Sequence, residues 1–183
     1  MHNDSKAQLQ ALKNYAMQFP AGSARRNAFL NGLGPIHVAW HTNPVTHGFL
    51  LFHWDLIKQF KSVGGPKQFG SIKAFTAAQL ANFGAPYNVN VTVGQGDIAG
   101  LRNFSLAIQQ WHNGAHMEIQ NATGLNMMDA GTNIFLREFW QLHYFINARF
   151  ERKLRSYRSS SNQSIPNVIA QIESNQHSSV PRI

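Results

Sequence analysis

Histidine is the residue type in this sequence with the most chemical potential. The chain of 183 residues carries nine histidines, no cysteine and only eight Asp and Glu side chains. None of the carboxylates forms an obvious acid–base pair. Without cysteine there are no disulfides, thiolate metal sites or cysteine nucleophiles, so a metal ion would have to be held by imidazole, carboxylate or water. Setting aside His2 and His177, the histidines fall into two groups: His37, His41, His47 and His53, then His112, His116 and His143. His112 and His116 lie four apart in a segment that reads as helical, which puts both rings on one face and within reach of one ion. On its own such a pair is a weak signal. His143 strengthens it, because it sits on the apolar stripe of a later helix and would complete a three-imidazole site. A lone histidine there would more often be a core residue with one hydrogen bond. His41, His47 and His53 offer a second trio from an upstream turn, a loop and a helix start. Di-iron bundle sites are built mainly from Glu and Glu-x-x-His, so two carboxylate-free trios point elsewhere. They favour a metal suited to neutral nitrogen, copper above all. His37, four residues before His41, is read as a structural or supporting histidine that could compete as a ligand.

The elements that must position these rings are mostly helical. Residues 5–19 read as an amphipathic helix, with Ser5 as cap, Leu9, Leu12 and Met17 on one face, and Pro20 as stop. A Gly-rich turn is expected over 31–35, a helical turn over 36–41, and a break at Asn43-Pro44. Phe49, Phe52, Leu56 and Phe60 recur at helical spacing up to Gly64-Gly65-Pro66. Residues 72–83 read as another helix, and 85–96 as a loop in which Val89, Val91 and Val93 alternate like a short strand. The next helix begins at Asp97 or Ser105 and ends near Ile119. After a loop over 121–132, Asn133 caps a long helix over 134–157 with Phe135, Phe139, Leu142, Ile146 and Phe150 as its stripe. The expected fold class is mainly α, a helical bundle with a dinuclear metal site in its core and long connecting loops. Residues 1–158 would form that domain, and 159–183 a flexible polar tail with one short helix near 167–173.

Bulk properties narrow the partners. The composition, 43% hydrophobic and 11% aromatic, is enough to bury one core. No run approaches the roughly 18 apolar residues of a membrane span. The first residues lack the basic start and apolar middle of a secretory signal, so a cytoplasmic protein is expected. The formal charge of +8 is scattered except at Arg149, Arg152, Lys153, Arg155 and Arg158. That cluster is read as a solvated helix end, with neither nucleic acid nor membrane as partner.

The histidines and their neighbours resemble a known family. Trp111-His112-Asn113-Gly114-Ala115-His116 resembles the second copper-binding motif of tyrosinases, His-Asn-x-x-His. The run 139–147, Phe-Trp-Gln-Leu-His-Tyr-Phe-Ile-Asn, is similar to the helix carrying that copper's third ligand. Gly124 with Met127 or Met128 fits the loop between. Val38-Ala39-Trp40-His41 and Phe49-Leu50-Leu51-Phe52-His53 resemble segments of the first copper site, with His47 in the place of the loop-borne second ligand. The sequence departs from the family's pattern at Trp54, which stands where Arg is usual, and in a shorter gap from His47 to His53. Leu142 replaces the first histidine of a His-His pair, and Leu136-Arg137 an Asp-Pro.

The resemblance implies a small bacterial-type member with two copper ions held by His41, His47, His53, His112, His116 and His143. It implies dioxygen chemistry on phenols: ortho-hydroxylation, or oxidation of o-diphenols or o-aminophenols to quinones. Asn113 would have a catalytic role, helping to hold a water that takes the phenol proton, and Met117 would line the substrate entrance. A helper protein that loads copper is a further implied partner. Two other readings stand beside this one: a non-catalytic oxygen- or copper-binding protein, and a basic helical binding module in which the histidines are structural.

Overall fold

In the computed structural model the described residues are 2–20, 22–42, 48–158, 164–165, 167–169 and 172, with backbone alone for 2–5. They are mainly α-helical, and no strand occurs among them. The helices are α1 (His2–Ala16), α2 (Ser23–Thr42), α3 (Phe49–Ser62), α4 (Gly65–Gln68), α5 (Ala77–Asn82), α6 (Ile98–Thr123) and α7 (Arg137–Arg158). A single 3-10 turn, Asn133–Phe135, precedes α7. Helices α3, α6 and α7 pack on one another, α1 lies against α2 and α3, and α2 meets the 3-10 turn ahead of α7. No helix among the described residues is long and apolar enough to cross a membrane.

Helix α2 corrects the expected turn over 31–35. The helix runs straight through Gly32, Gly34 and Pro35. Proline inside a helix forfeits one backbone hydrogen bond and normally breaks the run. Here Phe29, Leu30, Leu33, His37 and Trp40 recur at helical spacing and are all buried, and that burial outweighs the lost bond. The two glycines allow close approach rather than a bend. A Cβ on Gly32 would collide with the Leu12 side chain of α1, and one on Gly34 would lie 2.9 Å from the Gly131 carbonyl oxygen.

Three other segments differ in detail from the sequence expectation. Only 77–82 of the expected helix over 72–83 is helical, started by a capping box between Thr76 and Gln79. The preceding residues instead bond to α7: Phe75 N–H donates to Gln141 O, and Gln141 Nε2 to Lys73 O. In 85–96 the alternation is real, with Val89 and Val93 buried, yet no strand forms. The segment lies along α7, where Lys153 Nζ donates to Val91 O and Gly96 N–H to Tyr157 O, so it has no strand to pair with. Two of the five clustered basic residues are engaged here: Lys153, and Arg149, which lies over Tyr87 and Phe145. Helix α6 is longer than expected. Asp97 caps its start by accepting from Gly100 N–H, and Gly124 in the left-handed conformation (φ 75°) ends it.

The core is aromatic. Trp140, wholly buried, stacks on Phe60 at 3.6 Å between ring centres and donates its Nε1 proton to Ile134 O. Of the expected α7 stripe, Phe139, Leu142, Ile146 and Phe150 are buried, while Phe135 in the 3-10 turn is 41% exposed. Beyond α7, Val168, Ile169 and Ile172 are helical and buried within the same core.

Candidate metal centre

Four helices send histidines into one part of this core. Helix α2 supplies His37 and His41, α3 supplies His53, α6 supplies His112 and His116, and α7 supplies His143. All but His41 are buried. The arrangement is repeated: a helix with an i, i+4 pair is followed by a helix with one histidine. Ring centres are 4.5 Å apart for His37–His41 and 4.2 Å for His112–His116. The single histidines of the two halves, His53 and His143, stack at 4.8 Å, and His41 stacks on His112 at 6.2 Å across the two halves.

The outer nitrogen of each ring, where its partner is described, is fixed. His53 Nδ1 donates to Phe49 O (2.8 Å) and His143 Nδ1 to Phe139 O (2.7 Å), each four residues back on its own helix. His37 Nδ1 donates to Ala130 O (2.8 Å) and His116 Nδ1 to Met127 O (2.6 Å), both in the loop after α6. The Asn113 carboxamide, as oriented, accepts from His112 Nδ1 at 3.1 Å. A carbonyl oxygen can only accept, so these rings carry their proton on Nδ1 and a bare lone pair on Nε2. Such anchoring is what orients an imidazole for metal binding through its other nitrogen.

The Nε2 atoms converge, and those of His37, His53, His112, His116 and His143 carry no proton. His112 and His143 bring two lone pairs to 3.1 Å in a wholly buried setting. His37 Nε2 and His41 Nε2 are 3.0 Å apart. His53 Nε2 and His116 Nε2 are buried with no hydrogen-bond partner. Protonation does not relieve this, because burial opposes the charged ring. It lowers the pKa of His37 to about 3 and of His41 and His116 to about 4. It pushes His53, His112 and His143 well below the usual histidine range, with the neighbouring imidazoles adding to the effect. Six neutral imidazoles therefore face one another at this centre.

The donor set fits metal ions. Within each of two sets, His37–His41–His53 and His53–His112–His143, the ligand nitrogens all lie within 4.8 Å of one another. Metal–imidazole bonds of roughly 2.0–2.1 Å put two neighbouring nitrogens roughly 2.9–3.4 Å apart, the spacing of both close pairs. No carboxylate belongs to either set.

Of the residues singled out from sequence, His41, His53, His112, His116 and His143 meet at this centre. His47 lies outside the described residues. His37, read from sequence as a supporting residue, sits among the others with its Nε2 turned to His41. Asn113 is exposed and orients His112. A half-open cleft of about 110 Å³ reaches the centre between His41, His112, His116 and the loop residues Met127, Met128 and Ala130, with Asn113 and Asn133 also lining it. Met117 is 47% exposed and is not among the lining residues, whereas Met128 is.

Sequence reasoning placed a loop over 121–132 but missed the hydrogen bonds that brace it around this cleft. Asp129 accepts from Gly131 N–H and Thr132 Oγ1, and its carbonyl accepts from Asn133 N–H. Asn133 Nδ2 in turn donates to Met127 O, the carbonyl that anchors His116. The Asp-x-Gly-Thr-Asn run at 129–133 was the available signal, since Asp and Asn side chains commonly brace loop backbone.

No protein-family model, no curated protein and no solved structure matches this chain.

Proposed function

We propose that this chain is a type 3 copper protein that oxidises small phenols with dioxygen. The observation that carries the reading is the pair of bare Nε2 lone pairs, His112 and His143, facing each other at 3.1 Å inside a nest of six neutral imidazoles. A structural core histidine has partners for its buried nitrogens. His53 and His116 have none at Nε2, which weighs against histidines that serve the fold alone. The likeness of 111–116 and 139–147 to the second copper motif of tyrosinases supports copper over other metals suited to imidazole.

His112, His116 and His143 would hold one ion; His41 and His53 would hold the other, together with a third imidazole. Copper bound there would supply one-electron redox chemistry and the means to activate dioxygen toward a phenol. The protein's part is to keep the six rings neutral, oriented and dry. Phe49 packs on His53 and His112, Phe139 on His143, and Trp40 and Phe52 on His53, which excludes water from the ligands. Substrate would enter through the cleft beside Asn113 and Met128. Asn113 holds His112 in its tautomer, and its place at the cleft also suits it to position a water that accepts the phenol proton.

The small cleft volume favours one second reading, a protein that carries oxygen or copper without turning over a phenol. The test is copper content after loading, followed by oxygen uptake and quinone absorbance with a monophenol, a catechol and a 2-aminophenol. Two coppers per chain with quinone formation is the expected result. Two coppers with reversible oxygenation and no quinone would select the carrier. No retained copper would overturn both.

A further inference from the structure

The first site, as read from sequence, takes its loop-borne ligand from His47. We propose instead that His37 is the third ligand of that site, with His41 and His53. The inference rests on the metal-centre reading above and goes beyond it by assigning the ligand.

His37 sits one turn before His41 on the buried face of α2 and is fully buried. Its Nδ1 proton is committed to Ala130 O, so its Nε2 can only accept. A histidine that merely supports a ligand would meet that ligand's outer nitrogen and leave the inner one to the metal. His37 does otherwise. Its Nε2 meets the Nε2 of His41 at 3.0 Å, a contact that a proton on His41 Nε2 makes a hydrogen bond without metal and that also matches the separation of two nitrogens on one ion. With His53 the three ligand nitrogens lie within 4.8 Å of one another. The aromatic packing agrees: the His37 ring lies between Phe52, stacked on it at 6.2 Å, and Phe139, edge-on at 5.3 Å.

The second half of the molecule gives the same pattern independently. There an i, i+4 pair on α6 stands beside one histidine on α7, with ring centres 4.9 Å apart for His112–His143 and 5.4 Å for His116–His143. With His37 the first half reads identically, an i, i+4 pair on α2 completed by one histidine on α3. Six rings from four helices then face one another with no loop residue required, and His53 belongs to both sets whose nitrogens lie within 4.8 Å. The helix-borne pair is also the better preorganised ligand set, because both rings are fixed by one backbone before metal arrives.

Two measurements test this. The first is copper retained per chain, after loading and dialysis, for the unaltered protein and for His37→Gln and His47→Gln. The expected values are two, about one and two. The second uses the unaltered protein and so does not depend on a buried variant folding: two-bond proton–nitrogen NMR of the imidazoles before and after anaerobic addition of Cu(I). The Nε2 resonance of His37 is expected to leave the bare-imine range on loading, while the His47 ring stays as it was. Two coppers in His37→Gln and about one in His47→Gln would overturn the assignment and leave the metal centre standing. If both variants lose an ion, an unmoved His37 Nε2 resonance would overturn it. No copper on the unaltered protein would remove the metal-centre reading itself, and the assignment with it.

Discussion

At the scale of single residues, the unusual feature is a set of buried ring nitrogens that face one another or have no hydrogen-bond partner. Two facing lone pairs repel, and a ring nitrogen buried without a partner costs roughly 1–3 kcal/mol. Replacing one of these rings by a hydrocarbon of similar reach removes the penalty along with the ligand, so a binding site and a stable core make opposite demands here. His143→Leu is therefore expected to hold one copper fewer than the unaltered chain. Its metal-free form should unfold at the same urea concentration or a higher one. Copper analysis and urea denaturation check this, and a large loss of metal-free stability would contradict the account of the His112–His143 contact. The same scale shows how much of the site was legible in the sequence. The His112–His116 spacing and the place of His143 on an apolar stripe were enough to group those rings. The spacing of His37 and His41 was legible too, but the family resemblance gives the loop-borne ligand place to His47, and His37 reads as a supporting residue. The carbonyl anchors of His37 and His116 were not legible, because they come from a loop that chain order alone does not bring beneath α2.

At the scale of elements, local breakers were read correctly as special positions but assigned the wrong purpose. Gly32, Gly34 and Pro35 look like a turn in a short window. Their actual setting is a helix whose Gly32 and Gly34 are squeezed against α1 and the loop after α6, where no Cβ fits, while Pro35 is exposed. The helix itself was visible in the wider spacing of Phe29, Leu30, Leu33 and Trp40. Gly34 is the sharper case, since it faces backbone that cannot rotate away. Gly34→Ala is expected to push the 130–131 peptide off α2 and loosen the Ala130 anchor of His37. The overpacking should cost about 1–3 kcal/mol and weaken copper binding at the first site more than at the second. Thermal unfolding together with a copper competition titration would read both effects. A variant with unchanged affinity at both sites would show that the loop yields without consequence.

At the scale of the whole molecule, the buried imidazoles link stability to acidity. Their folded pKa values are depressed, to about 4 for His116, while in the unfolded chain a histidine titrates near 6.5. Between those values the unfolded state binds more protons than the native state. The stabilising contribution is complete above about pH 6.5 and is lost as pH falls toward about 4. For His116 alone the full span corresponds to on the order of 3 kcal/mol. The metal-free protein should accordingly show a urea midpoint that drops steadily from pH 7.5 to pH 5. A flat profile would mean that the rings are not buried neutral. The mainly α architecture was legible from hydrophobic spacing alone. The burial of Val168, Ile169 and Ile172 was not, because their polar neighbours mask three apolar residues that the core takes up.

The loop from Gly124 to Thr132 has one more consequence. Its Ala130 carbonyl steadies a ring of the first trio and its Met127 carbonyl a ring of the second. On the proposed two-copper reading, whatever ordering the loop requires would be met once, by whichever ion arrived first, and the second would find its ring already aimed. Uptake should be cooperative. At one equivalent of copper, native mass spectrometry should find empty and doubly loaded chains in excess over singly loaded ones, so that the protein behaves as a device that counts in twos.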